Sequence, residues 1–155
     1  MSELSVRRPW YALQSRLLLV LLLLGWTAVI WWVLIGDGLR PPGWIPWRRW
    51  LVNLGHAPLF GLEAVLIGLT LRPGEIGRHR KTLVLSAVIA VLYGGCVEYW
   101  QGMVGRQPSV GDLVTDSVGA FGVPWALSTG AVWGPRTWWV VLVAGVSAAC
   151  TTFLF

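Results

Sequence analysis

Long uncharged stretches of apolar residues alternate along the chain with short segments rich in charge, Gly and Pro. The first such stretch runs from Leu17 to Gly36, between Arg16 and Asp37. With a rise of about 1.5 Å per helical residue, it is long enough to cross a hydrocarbon core of about 30 Å. The same alternation predicts helical spans at residues 17–36, 51–71, 82–104, 113–132 and 137–155. We therefore expect an all-α, polytopic transmembrane helix bundle of four to five spans, the fifth being loosened by Gly and Ser.

The segments between these spans have the composition of membrane-surface loops. Residues 37–50 contain several Gly and Pro residues, and their tryptophans suit the head-group level of a bilayer. The first span is too long for a signal-peptide core and lacks a small-residue cleavage pattern, so we interpret it as an uncleaved helix. The whole chain, residues 1–155, is predicted to be one domain, whose polar motifs lie between about residues 50 and 130.

Composition excludes other classes of protein. Hydrophobic residues make up 55% of the chain and charged residues 12%, whereas about 25% of an average soluble domain is charged. A water-soluble monomer and a disordered chain are both excluded by these values. The formal net charge of +5 comes from basic residues that flank the apolar stretches, a pattern typical of membrane topology rather than of nucleic-acid binding. We expect a multi-pass integral protein of the cell membrane, with no nucleic-acid partner.

The distribution of basic residues predicts the orientation of the bundle. Loops on the cytoplasmic side of a membrane protein carry an excess of Lys and Arg. With a cytoplasmic N-terminus, the inner segments contain eight of the twelve basic residues, namely Arg7, Arg8, Arg16, Arg72, Arg78, Arg80, Lys81 and Arg136. The outer segments then contain the other four, namely Arg40, Arg48, Arg49 and Arg106. This distribution favours an N-terminus inside the cell.

Polar residues from three predicted helices reach the same depth in this topology. They lie near the start of the second span, near the end of the third, and in the loop and first turns that lead into the fourth. These residues are His56, Glu98, Gln101, Arg106, Ser109, Asp112 and Asp116. Each ionisable group inside a membrane costs at least about 2.5–3.5 kcal/mol on insertion scales, and such groups usually face a bundle interior or a watery cavity. The sequence therefore predicts a polar site at the outer membrane face.

Each of these residues also has a structural interpretation. Ser109 and Asp112 fit the S-x-x-D pattern that caps a helix N-terminus. Arg106 could neutralise a nearby carboxylate, and His56 could form one interhelical hydrogen bond. Glu63 lies deeper in the second span and is interpreted as a structural partner or a proton site, with the structural role favoured. Glu98 and Asp116 are harder to explain in this way, because buried carboxyl groups tend to be protonated, paired or functional.

In order along the chain, these residues resemble the VanZ-like family of small bacterial membrane proteins. The resemblance extends from His56 to Gly122. It rests on the histidine in NLGHAPLF, the EYWQ sequence that ends the third span, the Gly105–Arg106 turn, the PSVGD sequence and the small residues after Asp116. One position departs from the family pattern, because Asp116 stands where the family usually has an amide.

The resemblance implies a bacterial cell membrane and a role in the cell envelope. The family is named for a member associated with teicoplanin resistance, so an effect on glycopeptide susceptibility is also implied. The resemblance does not imply any particular chemical reaction. The carboxylate at Asp116 adds negative charge beside Asp112 and Glu98, so a role that needs a neutral donor at this position is in doubt.

Three functions stay open at the level of sequence. The site could bind the polar head of an envelope lipid or lipid-linked glycan, with Arg106 contacting a phosphate. If chemistry also occurs, His56 and Glu98 are the best acid–base candidates, and a divalent cation could be held by Glu98, Asp112 and Asp116. Alternatively, the polar residues lock the bundle of a structural or interaction protein. Transport is disfavoured, because five helices without a repeat are few for alternating access.

Overall fold

The computed structural model describes residues 9–36, 44, 48–73, 79–105 and 108–128. These residues form four helices, which are α1 (Pro9–Ile35), α2 (Arg48–Leu71), α3 (Arg80–Met103) and α4 (Val110–Ser128). They correspond to the first four predicted spans. Each begins before its predicted start, because a helix can continue beyond its apolar part into polar residues at the membrane surface. The predicted span at 137–155 and the predicted site residue Arg106 lie outside the described residues.

Three of the described helices are long and apolar enough to cross a membrane. The qualifying stretches are Gln14–Ile35, Val52–Leu71 and Arg80–Met103. Helix α4 is outside this group, and it carries Asp112 and Asp116 together with several glycines. The all-α prediction is confirmed for the described residues, and the three apolar helices indicate a multi-pass integral membrane protein.

Helices α2 and α4 lie side by side and run in the same direction. His56 in α2 contacts Asp116 in α4. About one and a half to two helical turns further along, a Cβ atom built on Gly61 would come within 2.5 Å of the Val123 side chain. Residue numbers therefore increase in the same direction along α2 and α4. This is the usual arrangement of two bundle helices that are separated in sequence by one helix running back.

Helix α3 is that returning helix and runs antiparallel to α2. The rings of Phe60 and Tyr93 lie 6.1 Å apart, and Gly68 lies beside Ser86. From the first contact to the second, the residue numbers increase along α2 and decrease along α3, so the two helices run in opposite directions. A connection of eight residues or so between the ends of two helices is usual for antiparallel neighbours.

Helix α1 completes an up-down-up-down arrangement, because it runs parallel to α3. The Tyr93 hydroxyl donates a hydrogen bond to the carbonyl oxygen of Thr27 at 3.1 Å, and Gln101 Nε2 donates to that of Leu34 at 3.0 Å. The ends of α1 and α3 and the starts of α2 and α4 consequently lie at one end of the bundle.

Apolar residues form both the core of this bundle and much of its outer surface. The buried core is built from residues of all four helices, among them Ile30, Phe60, Ala90 and Ala120. The outward face of α1 exposes a series of large side chains, including Leu17, Leu18, Leu21, Leu22 and Leu24. A contiguous exposed surface of this kind is suited to lipid rather than to water.

Glycines set the distance between α2 and α4. A Cβ atom built on Gly119 would overlap the backbone carbonyl of Ala57. Small residues at helix interfaces are the usual means by which membrane helices bring their backbones together. This close approach places the starts of α2 and α4 against each other, and with them His56 and Asp116.

Candidate functional site

The predicted site residues that the structure describes lie together at one end of the bundle. His56 is in the third turn of α2, and Glu98 and Gln101 are in the last two turns of α3. Asp112 is in the first turn of α4 and Asp116 is one turn further. The alternating helix directions bring these positions to the same depth, as the sequence pattern predicts. Four of these side chains, those of His56, Glu98, Gln101 and Asp116, are buried.

A buried histidine–carboxylate pair joins α2 to α4. His56 Nδ1 lies 2.8 Å from Asp116 Oδ1, and the two side chains are 2% and 1% exposed. The other carboxylate oxygen, Asp116 Oδ2, is buried without a hydrogen-bond partner among the described residues. Since Nδ1 contacts Asp116, Nε2 is the ring nitrogen left to a further ligand.

Glu98 is held against the start of α4 by one of its two oxygens. Its Oε2 accepts a hydrogen bond of 2.8 Å from the Ser109 backbone N–H. Its Oε1 is buried and has no partner within the described ranges, although the side chain as a whole is 7% exposed. An unpartnered buried carboxylate oxygen is costly, so the site contains an acceptor that a ligand, an ion or a proton would satisfy.

Ser109 has the capping role that its sequence context predicts. Its Oγ accepts a hydrogen bond of 3.3 Å from the Asp112 backbone N–H, three residues later. The side chain therefore satisfies one of the free N–H groups at the start of α4, while the Ser109 N–H itself binds Glu98. The cap fixes the position of the α4 terminus relative to α3.

The donor atoms of His56, Glu98 and Asp112 form a compact trio. One potential metal-ligand atom from each residue lies within 4.8 Å of the other two. The sequence prediction grouped Glu98, Asp112 and Asp116 instead. In the structure the histidine takes the place of Asp116 in the trio, and Asp116 instead contacts His56 Nδ1.

Gln101, predicted to bind a ligand, contacts the backbone of α1. Its Nε2 donates a buried hydrogen bond of 3.0 Å to the carbonyl oxygen of Leu34. This contact joins the ends of α1 and α3. It gives the amide a structural use that the sequence did not indicate, because the position of α1 relative to α3 is not encoded in either apolar stretch.

A second buried carboxyl group lies deeper in the bundle. Glu63 follows His56 by seven residues, which is about 10 Å further along α2. Its Oε1 accepts a hydrogen bond of 2.9 Å from Thr27 Oγ1, and its Oε2 is buried without a partner among the residues described. The partner Thr27 was missed at the sequence level, because it is the single hydroxyl residue of an otherwise apolar stretch and belongs to no motif.

We expect Thr27→Val to destabilise the bundle by about 1–3 kcal/mol, because it leaves both oxygens of a buried carboxyl group without a hydrogen bond. Thr70→Val is the matched control. The Thr70 hydroxyl donates to the Leu66 carbonyl of its own helix at 2.8 Å, and its loss removes no contact to a carboxyl group. Thr27 Oγ1 lies 2.9 Å from both Glu63 Oε1 and the Leu23 carbonyl oxygen, so its single proton is shared between these two acceptors. The free energy of unfolding in mixed detergent micelles is the measurement. Equal losses in the two variants would contradict the predicted contribution of Glu63.

An apolar groove at the opposite end of the bundle is separate from this polar site. It has a volume of about 330 Å³ and is lined by Arg80, Leu83, Val84, Phe121 and Trp125. These residues belong to the start of α3 and the second half of α4. The groove therefore lies far from the buried carboxyl groups described above.

No protein-family model, curated protein or solved structure matches this chain. The VanZ-like resemblance accordingly rests on the motif residues themselves. The structure gives those residues a common location, a buried pair and a trio of potential ligands. The chain is a multi-helix membrane protein with a buried, carboxylate-rich site at one end of its helices.

Proposed function

We propose that this chain is a VanZ-like protein of the bacterial cell membrane that binds the polar head of an envelope lipid or lipid-linked glycan at the outer membrane face. The observation that carries the proposal is the cluster of His56, Glu98, Asp112 and Asp116 at one end of the bundle, in which Asp112 is half-buried and the other three side chains are buried. Polar residues that merely faced water would not be buried among helices.

The distribution of charge supports a location at the outer face. The N-terminal and the Arg72–Lys81 segments are rich in basic residues, which favours their cytoplasmic location. The site lies at the other end of the same helices. With a cytoplasmic N-terminus, the cluster would lie at the level of the outer leaflet, near its lipid head groups.

The chemistry of the cluster favours head groups that donate hydrogen bonds. Glu98 Oε1 and Asp116 Oδ2 are acceptors when the carboxyl groups are ionised, and both are buried without a partner within the described residues. Sugar hydroxyls and ammonium groups can donate to such oxygens. A bare phosphate would be repelled by them, unless a cation or a basic residue such as Arg106 intervened.

The alternative function, a structural or interaction protein without a ligand, has its own supporting observation. The side chains of Trp26, Tyr93 and Gln101 each donate a hydrogen bond to the backbone of another helix. Polar groups used in this way stabilise a bundle and bind nothing. The unpartnered oxygens of Glu98 and Asp116 favour the ligand-binding function, because two of them lie in one cluster with His56 and Asp112, whereas the unpartnered oxygen of Glu63 lies alone and deeper in the bundle.

Native mass spectrometry of the detergent-purified protein tests the proposal. We expect wild type to retain a defined lipid adduct and Glu98→Gln to lose it, because the amide replaces a carboxylate oxygen that would contact the head group. Glu63→Gln is the matched control, since it makes the same change at a buried carboxyl group outside the outer-end cluster.

An adduct retained equally by wild type and Glu98→Gln would overturn the assignment of the site. A bare wild-type protein would favour the interaction alternative and direct the search to partner proteins. Teicoplanin susceptibility of a bacterial host that expresses each variant extends the comparison to the envelope, as the VanZ-like resemblance suggests.

A further inference from the structure

We propose that His56, Glu98 and Asp112 bind one divalent transition-metal ion, and that Asp116 orients the histidine through its contact with Nδ1. The inference deepens the proposed function, since it concerns the same outer-end site and names the ion through which a head group would be bound. It rests on the geometry of four side chains and not on the abundance of acidic residues alone.

The three donor atoms are already close enough to share an ion. They lie within 4.8 Å of one another, whereas ligand atoms around a tetrahedral zinc are about 3.4 Å apart. Small side-chain rotations would close the difference. Each donor comes from a different helix, so that an ion would join α2, α3 and α4 at one point.

The orientation of His56 is the second observation that indicates a metal. Metal-binding histidines almost always donate their other ring N–H to a carboxylate, a carbonyl or a water. His56 has this arrangement, because its Nδ1 lies 2.8 Å from Asp116 Oδ1 in a fully buried contact. A proton on Nδ1 leaves the lone pair on Nε2, which is the state a metal requires.

Glu98 supplies the third observation. Its side chain is more than nine-tenths buried and belongs to the trio, yet Oε1 has no partner among the described residues. The hydrogen bond from Ser109 to Oε2 fixes the carboxylate from its other side. A metal ion would satisfy the orphaned oxygen and offset the charge of the two carboxylates in the trio.

The donor set selects the class of ion. One imidazole nitrogen and two carboxylate oxygens suit Zn²⁺ and its first-row neighbours, whereas Ca²⁺ and Mg²⁺ favour sites built from oxygen alone. Three protein ligands also leave at least one coordination position open. A phosphate or hydroxyl oxygen of a lipid head group could occupy that position, which would relieve the repulsion between an anionic head and the carboxylates.

Zinc binding by the EDTA-stripped, tag-free protein in detergent tests the inference. We expect equilibrium dialysis against Zn²⁺ to give one bound zinc per chain for wild type. Glu98→Gln and Asp112→Asn should each weaken binding at least tenfold, since each removes a ligand charge. Asp116→Asn should weaken it by about 10–100-fold, the usual effect of losing a carboxylate behind a metal-binding histidine.

Two control variants separate this site from others on the chain. His79→Ala removes the chain's other histidine, which is exposed, and Glu63→Gln removes a buried carboxylate outside the trio. Both should bind zinc as wild type does. Wild type that binds no zinc, or trio variants that bind it as tightly as wild type, would overturn the inference.

Two further measurements keep the result decisive. If the trio variants fail to fold, the melting temperature of wild type is measured with and without zinc instead. A rise on zinc addition would support the inference, and the absence of a rise would overturn it.

The lipid adduct is measured in parallel on EDTA-stripped protein. Lipid retained by a protein that binds no zinc would overturn the metal site and preserve the proposed function. Zinc bound in a cluster-dependent way without any lipid would support the metal site and remove the proposed function.

Discussion

Gly119→Ala is expected to destabilise the protein by about 3 kcal/mol, the upper end of the usual cost of overpacking. A methyl group at this position would overlap the Ala57 carbonyl, which belongs to the backbone of α2 and cannot rotate away as a side chain can. The two helices would have to separate along their length. Unfolding in mixed detergent micelles, followed by far-UV circular dichroism, measures the loss.

Gly95→Ala is the matched control for this substitution. It adds the same methyl group to a helix interior, but nothing lies within 4 Å of the added atom. Alanine is the better helix former by about 1 kcal/mol, so Gly95→Ala should be neutral or stabilising. If the two variants were equally stable, the close approach of α2 to α4 would be wrong.

Asp116→Ala is expected to lose about 3 kcal/mol of stability, because it leaves His56 buried without its partner. His56→Ala should have a comparable cost for the reciprocal reason. The double variant His56→Ala/Asp116→Ala should cost clearly less than the sum of the two single changes, with a coupling of about 1 kcal/mol or more. The free energy of unfolding of all four proteins gives this coupling.

Asp116→Asn provides the conservative comparison for this cycle. The amide oxygen can still accept a hydrogen bond from Nδ1–H, so the loss should be smaller than for Asp116→Ala. Strictly additive effects of the two alanine substitutions would show that His56 and Asp116 do not act as a pair.

The presence and order of the four described helices could be predicted from the sequence, because the limits of their apolar stretches are set locally, although each helix begins before its apolar stretch does. Arg16 and Asp37 bound the first apolar stretch, and the Pro73–Gly74 breaker follows the second. The common location of His56, Glu98 and Asp116 followed from one further step, since successive membrane helices alternate in direction. Neither inference needed the rotation of any helix about its axis.

The pairing of individual residues could not be predicted, because it depends on that rotation. The sequence did not indicate which of Glu98, Asp112 and Asp116 would contact His56. The structure distinguishes them, because Gly119 and Gly94 leave room for α4 to pack closely against α2 and α3. This close packing brings Asp116 into contact with His56. Similarly, Thr27 reaches Glu63 because of how α1 is rotated, which a nearly uniform apolar stretch does not specify.

The backbone contact between Gly119 and Ala57 also bears on how the protein enters its membrane. Helix α4 has a charged beginning and is not among the helices apolar enough to cross on their own. Its best environment is the surface of α2, which is already synthesised when α4 emerges from the ribosome. We therefore expect α4 to enter the bilayer together with α2, so that its insertion depends on helix packing as well as on its own hydrophobicity.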